Sequence, residues 1–108
     1  MLESWRANRV LEHDRVDTIA DGIGVRVPIL EAVQDMQTLV DDGVTVTDAQ
    51  MLSAMRNSLE GLGILLEPSG AAGLAAAYAH RSRFRGKRIA TVLYGGNVTK
   101  EQFQTWFV

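Results

Sequence analysis

The run from Arg88 to Asn97, RIATVLYGGN, constrains this chain more than any other stretch. Ile89 to Tyr94 form a nearly unbroken series of apolar and β-branched residues. An alternating pattern would mean one wet face; an unbroken one predicts a strand buried on both faces, as in a parallel sheet. The run ends in Gly95-Gly96-Asn97. Ligands of open α/β sheets sit beyond the carboxyl ends of strands. A glycine pair there lets a ligand or another backbone approach where a Cβ would clash. The strand is therefore expected to form both the centre of the core and the edge of a site.

The rest of the composition limits what can surround it. A chain of 108 residues supports one domain, 1–108, with a modest core. Apolar residues make up 46% and charged residues 22%, which argues against disorder. A net charge of −2 gives no global reason to expect a nucleic acid or a membrane as partner. With no cysteine, disulfides, thiolate metal sites and a cysteine nucleophile are excluded, and a cytoplasmic location is expected. No apolar stretch approaches the ~18 residues of a membrane span, and the early charges of the N-terminus leave no apolar secretory core.

Along the chain, a short helix is expected over roughly 2–8, with Trp5 anchoring it on the core. Residues 18–24 carry two glycines and read as a loop, in which Asp21 either bonds its own backbone or serves a site. Val25-Arg-Val27 alternates briefly. Pro28 suits a first helical position, and Ile29, Leu30, Val33, Met36, Leu39 and Val40 then fall on one helical face, with Gly43 as C-cap. Val44 to Val46 read as a short strand. Thr47 and Gln50 have capping-box spacing ahead of a second helix bearing Leu52, Met55, Leu59 and Leu62, ended by Gly61 and Gly63.

A third helix, from Ala71 to about His80, is expected with Ser69 as its cap. Its residues are almost all alanine or glycine. Alanine is the best helix former, but mid-helix glycine costs about 1 kcal/mol, so Gly73 implies close packing against a neighbour. The basic stretch 80–88 reads as a solvated connection, with nucleic acid as the weaker alternative. Thr99 and Gln102 form a second capping box, and Phe103, Trp106 and Phe107 pin the C-terminus to the core or to a partner. The order predicts an α/β fold: a partial parallel sheet with few strands, flanked by several helices. Only the strand at 89–94 is strong, so part of the sheet is expected from elsewhere.

Chemistry is sparse. No metal cluster, no G-x-G-x-x-G and no G-x-x-x-x-G-K-[ST] is present. His13 and His80 are far apart and read as surface histidines. Ser69 suits a helix cap better than a nucleophile. What remains is Gly22, Glu67 and the turn Tyr94-Gly95-Gly96-Asn97, each at the end of an element.

Three segments then resemble a known family. DTIADGI at 17–23, EPSGAA at 67–72 and LYGGNV at 93–98 occur in the order and approximate spacing of the threonine/serine dehydratases. These are pyridoxal-phosphate-dependent ammonia-lyases and racemases of fold type II. VDDGVTV at 40–46 matches as well, so the similarity runs from about Glu3 to Asn97. The resemblance implies a C-terminal half of the family's large domain. It implies a cofactor wall made by Gly22, Glu67, Tyr94, Gly95, Gly96 and Asn97, with Glu67 near the pyridine end. Tyr94 departs from the small hydroxyl or thiol residue usual before GGN.

The same resemblance places the Schiff-base lysine, the phosphate loop and the metal carboxylate upstream of everything present here. Lys87 and Lys100 are the only lysines, and neither stands in a matching motif. The expectation is therefore β-elimination of hydroxy amino acids to 2-oxo acid and ammonia in a full enzyme. No catalytic residue, no metal and no firmly bound cofactor are expected in this chain alone. Its expected partner is a second copy, or a missing N-terminal half. A stand-alone homo-oligomeric module is the alternative reading.

Overall fold

A computed structural model describes residues 1–108. The chain divides into two compact units: Met1–Thr18 with Ile23–Val44, and Ile19–Gly22 with Thr45–Val108.

The first unit pairs α1 (Leu2–Ala7) with α2 (Leu30–Leu39). Asn8 ends α1 in the left-handed region, at φ 50°, a conformation asparagine tolerates better than most residues. Polar side chains then tie the unit together. Gln37 Nε2 donates to the Trp5 carbonyl at 2.6 Å, and the Arg6 guanidinium donates to the Gly43 carbonyl at 2.9 Å. The buried Ser4 hydroxyl accepts from Leu11 N–H at 3.0 Å. Helix α2 begins later than expected: Ile29, extended at φ −81° and ψ 131°, is its N-cap, and Pro28 precedes the helix. Gly43 does not cap α2 either. It lies against Leu2, whose side chain fills the place of a Cβ.

The second unit contains α3 (Asp48–Leu62), α4 (Pro68–Ala79) and α5 (Lys100–Phe107). Both expected capping boxes form. Thr47 Oγ1 accepts from Gln50 N–H at 3.2 Å, and Thr47 N–H donates to Gln50 Oε1 at 2.9 Å. Thr99 and Gln102 repeat both bonds. Gly63 closes α3 at φ 68°. Helices α3 and α4 pack on each other, and their shared core holds Met51, Ala54, Met55, Ala71 and Ala75, with Ala20 and Leu66. Trp106 and Phe107 pack against this core from α5, while Phe103 stacks on Phe107 at a ring separation of 4.9 Å.

The expectation of an α/β fold with a partial parallel sheet is overturned. The elements are helices, one of them a single 3₁₀ turn at Asp21–Ile23, and no residue lies in a β-strand. Ile89–Tyr94 is irregular, and so are 25–27 and 44–46. The physical reason is that a strand exists only through a neighbour. No backbone hydrogen bond joins 88–94 to any other segment. The run is not buried on both faces: Ile89 is 50% exposed, Val92 74% and Tyr94 49%. Two contacts with the run account for the glycines of α4. A Cβ on Gly73 would meet Thr91 Oγ1, and one on Gly70 would overlap the Tyr94 carbonyl oxygen. No helix is long and apolar enough to cross a membrane.

Candidate functional site

The site is built around the first turn of α4. Pro68 takes the first helical position, which puts Glu67 at the N-cap, extended at φ −78° and ψ 160°. Two bonds fix Glu67. Its backbone N–H donates to the Gly95 carbonyl at 3.1 Å, and its Oε2 accepts from Asn97 N–H at 3.0 Å. Gly95 is required twice over. Its φ is +70°, and a Cβ there would run into the Glu67 carboxylate. The turn continues through Val98 N–H, which donates to the Gly96 carbonyl at 2.8 Å.

Gly22 approaches from the loop 19–22. A Cβ on it would stand 2.9 Å from Ser69 Oγ and 3.8 Å from Glu67 Oε1. The loop is held by a group that the sequence did not single out: Asp48, at the start of α3, accepts from Ile19 N–H at 3.2 Å. Ser69 is not the cap of α4. It lies inside the first turn, 3% exposed, and its hydroxyl has no hydrogen-bond partner.

These pieces enclose a cavity of about 420 Å³. Gly22, Glu67 and Asn97 line it, together with Asp21 and Pro68. Ile19, Thr99, Gln102 and Trp106 complete the wall. The α5 contribution is anchored by Arg56, whose Nε donates to the Trp106 carbonyl at 2.7 Å. Sequence reasoning placed α5 through its capping box but not on this wall. The signal available was proximity in sequence, since Thr99 follows Asn97 by two residues.

The other expected site residues are less central. Gly95 supports Glu67, and Gly96 has only the Leu65 carbonyl near its open side, at 3.4 Å from a Cβ position. Tyr94 offers its backbone to Gly70, and its half-exposed side chain is not part of the cavity wall. His13 pairs with Glu3 at 2.9 Å, and His80 Nε2 lies 3.2 Å from the Thr45 carbonyl.

Pyridoxal phosphate makes two demands on such a site. Its ring needs a flat, close approach and a polar group at the nitrogen end, which Gly22, Glu67 and the 95–97 turn can supply. Its phosphate and aldehyde need cationic donors and an amine. The wall carries the carboxylates of Asp21 and Glu67 and no Lys, Arg or His. The complete cofactor therefore does not fit the residues this chain provides.

Known proteins bear on the same region. Residues 1–95 match the family described as pyridoxal-phosphate dependent enzyme. The L-threo-3-hydroxyaspartate ammonia-lyase of Pseudomonas sp is 31% identical over 100 residues, which are 93% of this chain and 31% of that protein. The biosynthetic L-threonine dehydratase of Bacillus subtilis is 28% identical over 96 residues, 89% of this chain and 23% of that protein. Among solved structures, maize serine racemase superposes with a TM-score of 0.82 at 29% identity, covering 96% of this chain and 34% of that one. The chain thus spans about a third or less of the length of the relatives it matches. Its match to the family nonetheless runs through most of its residues, and the chain belongs to the pyridoxal-phosphate dependent enzymes.

Proposed function

We propose that the chain forms one wall of an active centre of the dehydratase and racemase type, acting on β-hydroxy amino acids, and that it is not catalytic alone. The observation that carries this reading is the join of Glu67 to the Gly95–Asn97 turn beside Gly22. Three separated motifs meet there at one cavity. Relatives named for threonine, hydroxyaspartate and serine support the substrate class.

In a whole enzyme of this kind, the bound cofactor supplies an electron sink for charge at the amino acid's α-carbon. The reaction proposed for the whole enzyme is β-elimination: the α-proton and β-hydroxyl are lost, and the enamine left hydrolyses to a 2-oxo acid and ammonia. The residues of this chain hold rather than react. Glu67 keeps a negative charge in a fixed place, because Asn97 N–H restrains one carboxylate oxygen. Gly22 and Gly95 keep the approach open. Neither Lys87 nor Lys100 lines the cavity, so no amine is in place for covalent chemistry.

Grafting tests this reading. A chimaera in which the chain replaces the matching third of maize serine racemase is expected to fold and to show a visible cofactor band. A folded chimaera without the band would overturn the assignment of the wall. The chain alone, mixed with pyridoxal phosphate and threonine, is expected to form 2-oxo acid no faster than free cofactor does. A rate above that background, lost in Lys87→Ala or Lys100→Ala, would overturn the claim that it is inert.

Self-association is a second reading, favoured by the bare apolar run at Ile89, Val92 and Tyr94. Exposed, unpaired edges of this kind invite pairing with a second copy. Light scattering after size exclusion is expected to give a dimer on this reading; a monomer with a cooperative melt would remove it.

A further inference from the structure

We infer that two copies of the chain pair antiparallel through 89–94, on a two-fold axis at Thr91, and that Lys87 of the second copy brings a cation to Glu67 at the cavity wall. This pairing rests on the self-association reading and gives it a direction and a register. The backbone N–H and C=O groups of 88–94 bond to no other segment, so the run offers an edge that a second strand can use. Its side chains alternate. Thr91 meets Gly73 of α4 and Leu93 packs on the core, whereas Val92 and Tyr94 face outward. Gly95 belongs to the inward set, because a Cβ there would point at the Glu67 carboxylate.

Charge chooses the direction. Arg81, Arg83, Arg85, Lys87 and Arg88 lead into the run, all exposed, and no acidic residue stands between Glu67 and Glu101. Parallel copies would lay the two basic segments side by side, and like charges directly opposite each other repel. Antiparallel copies carry each basic segment to the glycine end of the other, where Glu67 lies. The side chains then choose the register, since directly opposite residues of such a pair share a face. With Thr91 opposite itself, Ile89 meets Leu93 and Lys87 meets Gly95 on the inner face. Gly95 has no side chain in the way, so Lys87 reaches the Glu67 carboxylate behind it. Oε2 of that carboxylate is held by Asn97 N–H, and Oε1 has no donor within the chain. On the outer face Arg88 meets the Tyr94 ring, a cation against an aromatic, and Ala90 meets Val92. Moving the axis by one residue loses these pairs: it sets Ile89 against Gly95, or Lys87 against Leu93.

The chain has no cysteine, so single cysteine substitutions report the register cleanly. Thr91→Cys, oxidised mildly with diamide, is expected to give a disulfide-linked dimer at least about 10-fold faster than Val92→Cys. Directly opposed Cβ atoms stand about 4.5–5.5 Å apart, and Val92 opposes Ala90 rather than itself. Lys87→Glu, in an exposed segment, is expected to weaken the dimer about 10-fold at low salt, read by light scattering over a dilution series. Salt is expected to shrink that loss. Adding Glu67→Gln is expected to recover most of it, because the repelling charge is gone. Should the double variant fail to fold, the two cysteine variants still decide the register. A dimer in which Val92→Cys links as fast as Thr91→Cys, or which Lys87→Glu leaves unchanged, would overturn this pairing and leave self-association standing. A monomer at every concentration would overturn both.

Discussion

Helix α4 and the run 89–94 are both small or apolar along their length, and they touch each other, yet one is core and the other is largely surface. Ala71 and Ala75 are fully buried, whereas Val92 is among the most exposed large apolar side chains in the chain. The difference lies in the backbone. A helix satisfies its own N–H and C=O groups, so α4 needs only a surface to pack on, and α3 provides it. An extended run satisfies nothing by itself. Without lateral partners for 89–94, its apolar content cannot be turned into burial on two faces.

The largest expected effect is on the α3–α4 side. Met55 is completely buried. Met55→Ala is expected to destabilise the chain by about 3 kcal/mol in urea melts, since the packed helices cannot close around the cavity. A loss below ~1 kcal/mol would mean that this interface is loose and that the contrast with 89–94 is weaker than it looks.

Gly70→Ala probes where the two regions meet. Alanine favours helix by about 1 kcal/mol, but its Cβ would overlap the Tyr94 carbonyl, a backbone atom that no rotamer change can move. A net loss of about 2 kcal/mol is expected, within the range for overpacking. A stabilised variant would show that the 91–94 backbone lifts off α4 freely.

The helices were legible because their signals are local. The two capping boxes lie within four residues each, and Gly63 marks an end by a conformation other residues resist. Ser69 misled because serine is a good cap in isolation, yet Pro68 beside it fits the first turn and moved the cap to Glu67. The strand at 89–94 was misread for the opposite reason: its signal presumed neighbours that local sequence does not contain. The site was half legible. Glu67, Gly22 and Asn97 carried family motifs, whereas Gln102 and Trp106 reach the cavity only through the placement of α5.

A smaller effect separates glycine used for contact from glycine tolerated. The neighbour of Gly73 is the Thr91 hydroxyl, an exposed side chain that can be removed. Gly73→Ala alone is expected to stay within about 1 kcal/mol of wild type, as helix propensity offsets the contact. Adding Thr91→Ala should make the double variant about 1 kcal/mol more stable than Thr91→Ala alone. If the double variant gains nothing, Gly73 meets some constraint other than Thr91.

The smallest expected effect decides most about the run itself. Val92→Thr keeps the shape of the side chain and replaces a methyl with a hydroxyl. At a position 74% exposed, the change in stability should stay within about 0.5 kcal/mol. On the two-face burial that the sequence alone suggests, the same hydroxyl would be desolvated without a partner, at a cost of about 1–3 kcal/mol. The two outcomes are far enough apart for a melt to separate. Protein concentration adds a second axis. If copies of the chain cover 89–94 in solution, the variant should match wild type when dilute and fall behind it when concentrated, because the hydroxyl weakens the association and leaves the fold intact. A cost that is large at every concentration would mean that Val92 is buried within the chain, and that the contrast between α4 and this run is not a property of the folded protein.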